Sequence, residues 1–233
     1  MLVSTVADLE EELEEEDQEI QAGNRTLTAQ GGLFYNTRGW PNGVIYFQPE
    51  SLSVFSSVER TSIQNAMQHI TDKTNVGFLP RTTGNRLYFQ NVTGNGCSSE
   101  LGMVGTAAQS LQLEDGCFAN VNPQDNFGTI VHELSHAAAL IHEHQRGDRN
   151  DYVDINESNL TPKGKENILP LARTSYRTGY DYPSVMHYPK RITDRGFVLN
   201  PNIDTIRTPS YTGLVALQRL TPRDIQTYNH PYP

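Results

Sequence analysis

The sequence predicts an α+β body in two lobes, and three observations carry that reading. Short β-type runs before residue 93 flank one long amphipathic stretch. A second helical stretch covers 126–141. After His142 the composition turns to Gly, Pro, Asn, Asp and Thr, with weak periodicity through residue 215. A chain of 233 residues is long enough for one substantial domain, or for two lobes facing each other across a cleft.

Taken in order, the chain opens with residues 1–22, where Val6, Leu9, Leu13 and Ile20 recur on one helical face of an otherwise acidic segment. Such a segment is either a solvated tail or an amphipathic helix that docks on the body. Residues 24–42 are rich in Gly, Asn, Thr and Gln, as a linker would be. Residues 43–48 then read as a first strand, and 57–74 as a helix with Val58, Ile63, Met67 and Ile70 on its apolar stripe. Gly77-Phe-Leu and residues 86–92 suggest two more strands. The Gly- and Ser-rich stretch 94–124 suggests edge strands and loops. Near the end, Thr221 followed by Pro222 marks the start of a last helix over 221–228.

The formal net charge of −9 is carried by one segment: residues 1–22 hold nine acidic side chains and no Lys or Arg, so residues 23–233 are formally neutral. A neutral body with an acidic arm has no basic footprint for nucleic acid. No apolar run approaches the roughly 18 residues that would span a bilayer. No signal peptide is visible at Met1, so an exported protein would have lost its signal. Two cysteines, Cys97 and Cys117, fit either one disulfide in an oxidising compartment or two buried thiols.

The chemistry is concentrated in the second helical stretch. His132 and His136 lie four residues apart, so both imidazoles leave the same face, and Glu133 follows the first. In H-E-x-x-H the two histidines are zinc ligands and the carboxylate is placed to take a proton from water activated by the metal. His142 lies six residues beyond His136, about 600° of helical rotation. It can join the other two only if the helix breaks and the chain turns back. In the longer H-E-x-x-H-x-x-G-x-x-H pattern a glycine stands at that break. Here the position is Ala139. A left-handed alanine costs on the order of 1–2 kcal/mol.

The run His132-Glu-Leu-Ser-His-Ala-Ala-Ala-Leu-Ile-His-Glu-His-Gln-Arg-Gly-Asp-Arg-Asn-Asp-Tyr-Val153 resembles the astacin family of zinc endopeptidases, a branch of the metzincins. The resemblance continues at Ser184-Val-Met-His-Tyr188, similar to the family's Met-turn, at Trp40-Pro-Asn-Gly-Val-Ile and at Gln218-Arg-Leu-Thr-Pro-Arg-Asp-Ile. It implies a metzincin fold, with a twisted mixed sheet and two long helices in an N-terminal lobe (31–142) and a mostly irregular C-terminal lobe (143–233). It implies one Zn2+ per chain held by His132, His136 and His142. Glu133 would be the general base, and Tyr188 an extra metal ligand at rest that then stabilises the oxyanion. Met186 would be an apolar floor. Glu143 would anchor the freed N-terminus of the mature protein, or else pair with Arg146 or Arg149. The resemblance also implies that Cys97 and Cys117 are disulfide-bonded and that the protein is secreted.

The family's members are made as zymogens, which gives the acidic arm a reading. Residues 1–30 are expected to be a partial pro-segment or N-terminal extension preceding a catalytic domain at 31–233. The arm carries neither Phe-x-Gly-Asp nor a cysteine, which excludes a thiolate switch; in the inhibitory reading its carboxylates would lie near the metal. Expected partners are protein or peptide substrates, with no nucleic acid and no membrane, and the protein is expected to be a monomer. Arg191, Arg195 and Arg207 follow Tyr188 and are candidates for a basic substrate pocket. The rival readings are a zinc-containing binding module without turnover and a metzincin outside the astacins.

Overall fold

The structure is a computed structural model that describes residues 39–119, 127–170, 178–209, 219–230 and 232. The acidic arm and the linker after it lie outside these residues. Trp40-Pro-Asn-Gly43 forms a tight turn into the first strand, β1 (Val44–Phe47). Gly43 has φ +68, and a Cβ there would press on the Asn75 carbonyl, so only glycine fits.

The first helix, α1 (Ser57–Lys73), begins at a capping box in which the Ser56 hydroxyl accepts from the Glu59 amide and the Glu59 carboxylate accepts from the Ser56 amide. Ile63, Ala66, Met67 and Ile70 form its buried face at i, i+3, i+4 and i+7. Val58, assigned by spacing to that stripe, is exposed instead, because at 3.6 residues per turn it lies about 130° around the helix from the centre of that face.

Strands β2 (Gly77–Pro80), β3 (Arg86–Gln90), β4 (Cys97–Ser99) and β5 (Ala108–Leu113) complete a five-stranded sheet of order β2-β1-β3-β5-β4. The pairs β1–β2, β1–β3 and β3–β5 are parallel, while β4 runs antiparallel along β5 at the sheet's edge. The sheet is therefore mixed, as expected. Within the stretch read as edge strands, β5 is interior, and its last residues, Leu111, Gln112 and Leu113, are all buried. A disulfide joins Cys97 on β4 to Cys117 in the short turn Asp115–Phe118.

The helix α2 (Gly128–Ala137) lays Ile130, Val131, Leu134 and Ala137 into the same core as α1 and the sheet. It is shorter than the sequence suggested at its C-terminal end, stopping before Ala139. A two-stranded ribbon of β6 (Asp154–Ile155) and β7 (Ile206–Arg207) and a short helix α3 (Pro162–Ile168) organise the following region. The weak periodicity there hid α3, which spans only seven residues. Its Gly164 lies so close to the Phe197 carbonyl that a Cβ would overlap it. This region has its own small core of Val153, Leu160, Ile168, Tyr180, Ile192, Val198 and Ile206.

The last helix, α4 (Pro222–Asn229), starts as expected at Thr221, whose hydroxyl accepts from the Asp224 amide. It packs Tyr228 into the first core together with Val185, Met186, Leu220 and Tyr232. The end of the chain thus returns to the sheet and α2. The Tyr232 hydroxyl accepts from the Trp40 amide and donates to the Ala138 carbonyl, and Trp40 Nε1 donates to the Ala137 carbonyl. These bonds occupy carbonyls that the end of α2 leaves without intrahelical partners. No described helix is long and apolar enough to cross a membrane.

Candidate metal centre and active site

The helix α2 ends in a left-handed turn. Ala139 has φ +71, its amide bonds to the His136 carbonyl at 2.8 Å, and the Leu140 amide reaches back to the Ser135 carbonyl at 3.0 Å. The reversal resembles the Schellman ending of a helix, which normally places glycine where Ala139 stands. It brings His142 onto the face already occupied by His132 and His136.

The three Nε2 atoms converge, at 3.2 Å between His132 and His142 and 3.1 Å for each of the other two pairs. Every Nδ1 faces an oxygen at 2.8 Å: His132 meets the Val185 carbonyl, His136 the Leu140 carbonyl and His142 the Gln145 side-chain carbonyl. Each Nδ1 therefore carries the proton, and three Nε2 lone pairs point at one another. Burial holds all three rings neutral, with pKa values below the ordinary histidine range, and neighbouring imidazoles reinforce this for His136 and His142. Three lone pairs this close repel unless a cation stands between them. A tetrahedron with edges of this length places its centre about 2 Å from each corner, the usual zinc–nitrogen distance. The donor set fits zinc, and among the described residues these three form the cluster able to hold a metal.

Glu133 is buried beside the histidines, and its carboxylate takes no hydrogen bond from the described residues. Burial raises its pKa to about 8; a cation in the adjacent site would pull it down again. The Tyr188 ring packs edge-on to His142 at 4.6 Å and against His144 at 4.4 Å. Its hydroxyl is held protonated by burial and by the charges of Glu133 and Asp194. His144 is stacked on His142 at 4.9 Å and accepts from the Tyr188 amide, while His187 meets the Tyr180 hydroxyl at 2.7 Å. Both are outside the metal cluster.

Met186 is buried in the first core, with its carbonyl accepting from the Glu143 amide at 3.0 Å. The Glu143 carboxylate accepts from Arg146 Nη1 and from the Asp181 amide, each at 2.8 Å. Burial lifts its pKa to about 7 against the pull of Arg146. Of the two candidate arginines, Arg146 is the partner; Arg149 instead donates to the carbonyls of Ile168 and His144. Arg146 also forms a two-point pair with Asp148 at 2.9 Å.

The cluster opens into a cleft of about 350 Å³. One wall is Asn95, Gly96, Cys97 and Ser98, at the edge strand β4, and the other holds Lys163, Asn167, Asp194 and Phe197. None of Arg191, Arg195 and Arg207 is among the described lining residues. Arg191 pairs with Asp204 at 3.1 Å and Arg207 approaches Asp154 at 4.0 Å. Among the described residues, the Lys or Arg that lines the cleft is Lys163, from the short helix that sequence periodicity did not reveal.

A family model described as Astacin, a family of peptidases, matches residues 33–233. The chain is 38% identical to zinc metalloproteinase nas-14 of Caenorhabditis elegans over 162 residues, covering 67% of this chain and 30% of that protein. It is 33% identical to blastula protease 10 of Paracentrotus lividus over 210 residues, covering 85% of this chain and 33% of that protein. It thus spans about a third of the length of these curated relatives. Among solved structures, high choriolytic enzyme 1, a hatching enzyme zinc-protease from Oryzias latipes, is similar with a TM-score of 0.70 at 30% identity, over 88% of this chain and 98% of that one.

Proposed function

This chain belongs to the astacin family of peptidases, and from that membership we propose that it is a secreted zinc endopeptidase cutting internal bonds of protein substrates. The observation that carries the reading is the convergence of three neutral imidazoles, each with Nδ1 engaged and Nε2 free, on the floor of an open cleft. Zinc held by three nitrogens with an open fourth position acts as a Lewis acid and makes water ionise near neutral pH.

The residues around it have separable roles. His132, His136 and His142 hold the ion. Glu133 accepts a proton from the attacking water and returns it to the leaving amine. Tyr188 would serve as a further ligand to the ion at rest and would donate a hydrogen bond to the substrate carbonyl oxygen as that oxygen gains charge. Met186 packs beneath the site, and Glu143 with Arg146 braces the segment that follows His142. Substrate pairs its backbone with β4, whose outer edge has no strand beside it among the described residues. The catalytic domain is 31–233, monomeric, with lobes 31–142 and 143–233, and residues 1–30 are an N-terminal extension or a partial pro-segment; as a pro-segment they would hold it latent.

Hydrolysis of quenched peptides, with and without a chelator and after zinc restoration, tests the class. Cleavage should stop with the chelator and return with zinc. Glu133→Gln should retain zinc and lose at least ~100-fold in kcat. Tyr188→Phe should retain zinc and slow turnover by ~100-fold or more, as for loss of an oxyanion donor. Stoichiometric zinc without cleavage of any peptide, before and after removal of residues 1–30, would favour the binding-module reading.

A further inference from the structure

A line of hydrogen bonds runs from the metal site to the last helix. His132 Nδ1 donates to the Val185 carbonyl at 2.8 Å. The same peptide unit, through the Met186 amide, donates to Ser184 Oγ at 3.0 Å. Ser184 Oγ in turn donates to Asp224 Oδ1 at 2.5 Å. Every donor points the same way, from imidazole to peptide to hydroxyl to carboxylate. The members beyond His132 are buried.

We propose that Asp224, on α4 and outside the metal site, is a positioning residue that orients and polarises His132 through Ser184 and the Val185–Met186 peptide. The inference rests on the zinc-site reading above and extends it to a residue that touches neither metal nor substrate.

Three physical points support it. First, metal-bound histidines commonly donate their second N–H to a carbonyl or carboxylate, which fixes the tautomer and raises the basicity of the ligating nitrogen. Here the carboxylate acts two links away. Hydrogen bonds in a chain polarise one another, so the peptide carbonyl is a better acceptor when its own N–H is engaged. Second, Asp224 is over-determined: Oδ2 accepts from the Val185 amide at 3.0 Å and the Thr221 amide at 2.9 Å, leaving Oδ1 aimed at Ser184. Third, the arrangement is specific to one ligand. The corresponding nitrogens of His136 and His142 end on the Leu140 carbonyl and on Gln145, within their own segment. Of the three ligands, His132 alone is tied to a distant element.

Ser184→Ala interrupts the chain at its middle with the loss of one oxygen. It should weaken zinc affinity ~10-fold or more, read by competition with a chelator in the 233-residue chain. It should also shift the His132 Nδ1–H proton resonance. Asp224→Asn should act in the same direction. Thr227→Ala supplies the control: its hydroxyl is largely buried on the same helix but donates to the Arg223 carbonyl, away from the chain. That variant should lower Tm without changing zinc affinity or the His132 resonance. Unchanged zinc affinity in Ser184→Ala, or an equal loss in Thr227→Ala at equal Tm, would overturn the proposal. Wild-type protein that bound no zinc would overturn the metal-site reading and this inference with it. Wild-type binding with unaltered Ser184→Ala would remove the inference alone.

Discussion

At Ala139 one residue decides whether three histidines can meet. Its φ of +71 is required by the reversal that carries His142 back to the face of His132 and His136. An L-residue with a side chain pays on the order of 1–2 kcal/mol for this conformation. Glycine would avoid that strain but would cost about 0.4–1 kcal/mol through the freer unfolded chain. Ala139→Gly is therefore expected to raise stability by about 0.5–1 kcal/mol, with zinc affinity unchanged. Denaturant unfolding and chelator competition check the two halves. The turn was legible in the sequence because His142 is useless to the metal without it, and the departure from glycine was legible as a strained position. The Nδ1 partners were not: Val185 is 53 positions from His132, and no local spacing announces such a contact.

Between elements, polar contacts tie the last helix to the rest. His69, near the end of α1, accepts from the Leu220 amide at 3.2 Å, just before α4 begins. Burial, then the charges of Lys73 and Arg219, lower its pKa from 6.5 to about 4, with Asp72 opposing them. The fold thus binds the neutral ring, and the unfolded chain takes up a proton first as pH falls. The stabilisation is complete above pH 6.5 and is lost as pH falls from 6.5 towards 4. His69→Gln should flatten this part of the stability profile in urea titrations between about pH 4 and 7. An unchanged slope would show that other groups dominate it. The helices α1, α2 and α4 were readable because their caps and apolar spacing are local. The short helix α3 was not, since seven residues give too little periodicity to distinguish a helix from a loop. With it went Lys163, a cation at the cleft wall, where the sequence had offered three arginines.

At the scale of the molecule, charge and chain ends matter. The acidic segment supplies the whole net charge of −9 beside a formally neutral body. If residues 1–30 hold the enzyme latent through their carboxylates, their removal should raise kcat/KM while chelator sensitivity stays the same. Unchanged activity after removal would assign them no inhibitory part. The two ends of the body converge elsewhere: Trp40 and Tyr232 meet at the C-terminus of α2 and occupy its carbonyls. Loss of Tyr232 should therefore loosen the helix that carries two of the three histidines.

By itself the sequence pointed to the three histidines as a metal site, to the neighbouring carboxylate and to the class of fold. Those depend on residue types at fixed short spacing and on motifs in a fixed order. Only the tertiary structure decided which backbone oxygen orients each imidazole, which arginine pairs with Glu143 and which cation faces the cleft. It also made the capping carboxylate Asp224, at the third residue of α4, the end of a hydrogen-bond line to His132. Such contacts join residues far apart in the chain, and burial makes them count: a polar group removed from water must find its partner wherever the fold brings one.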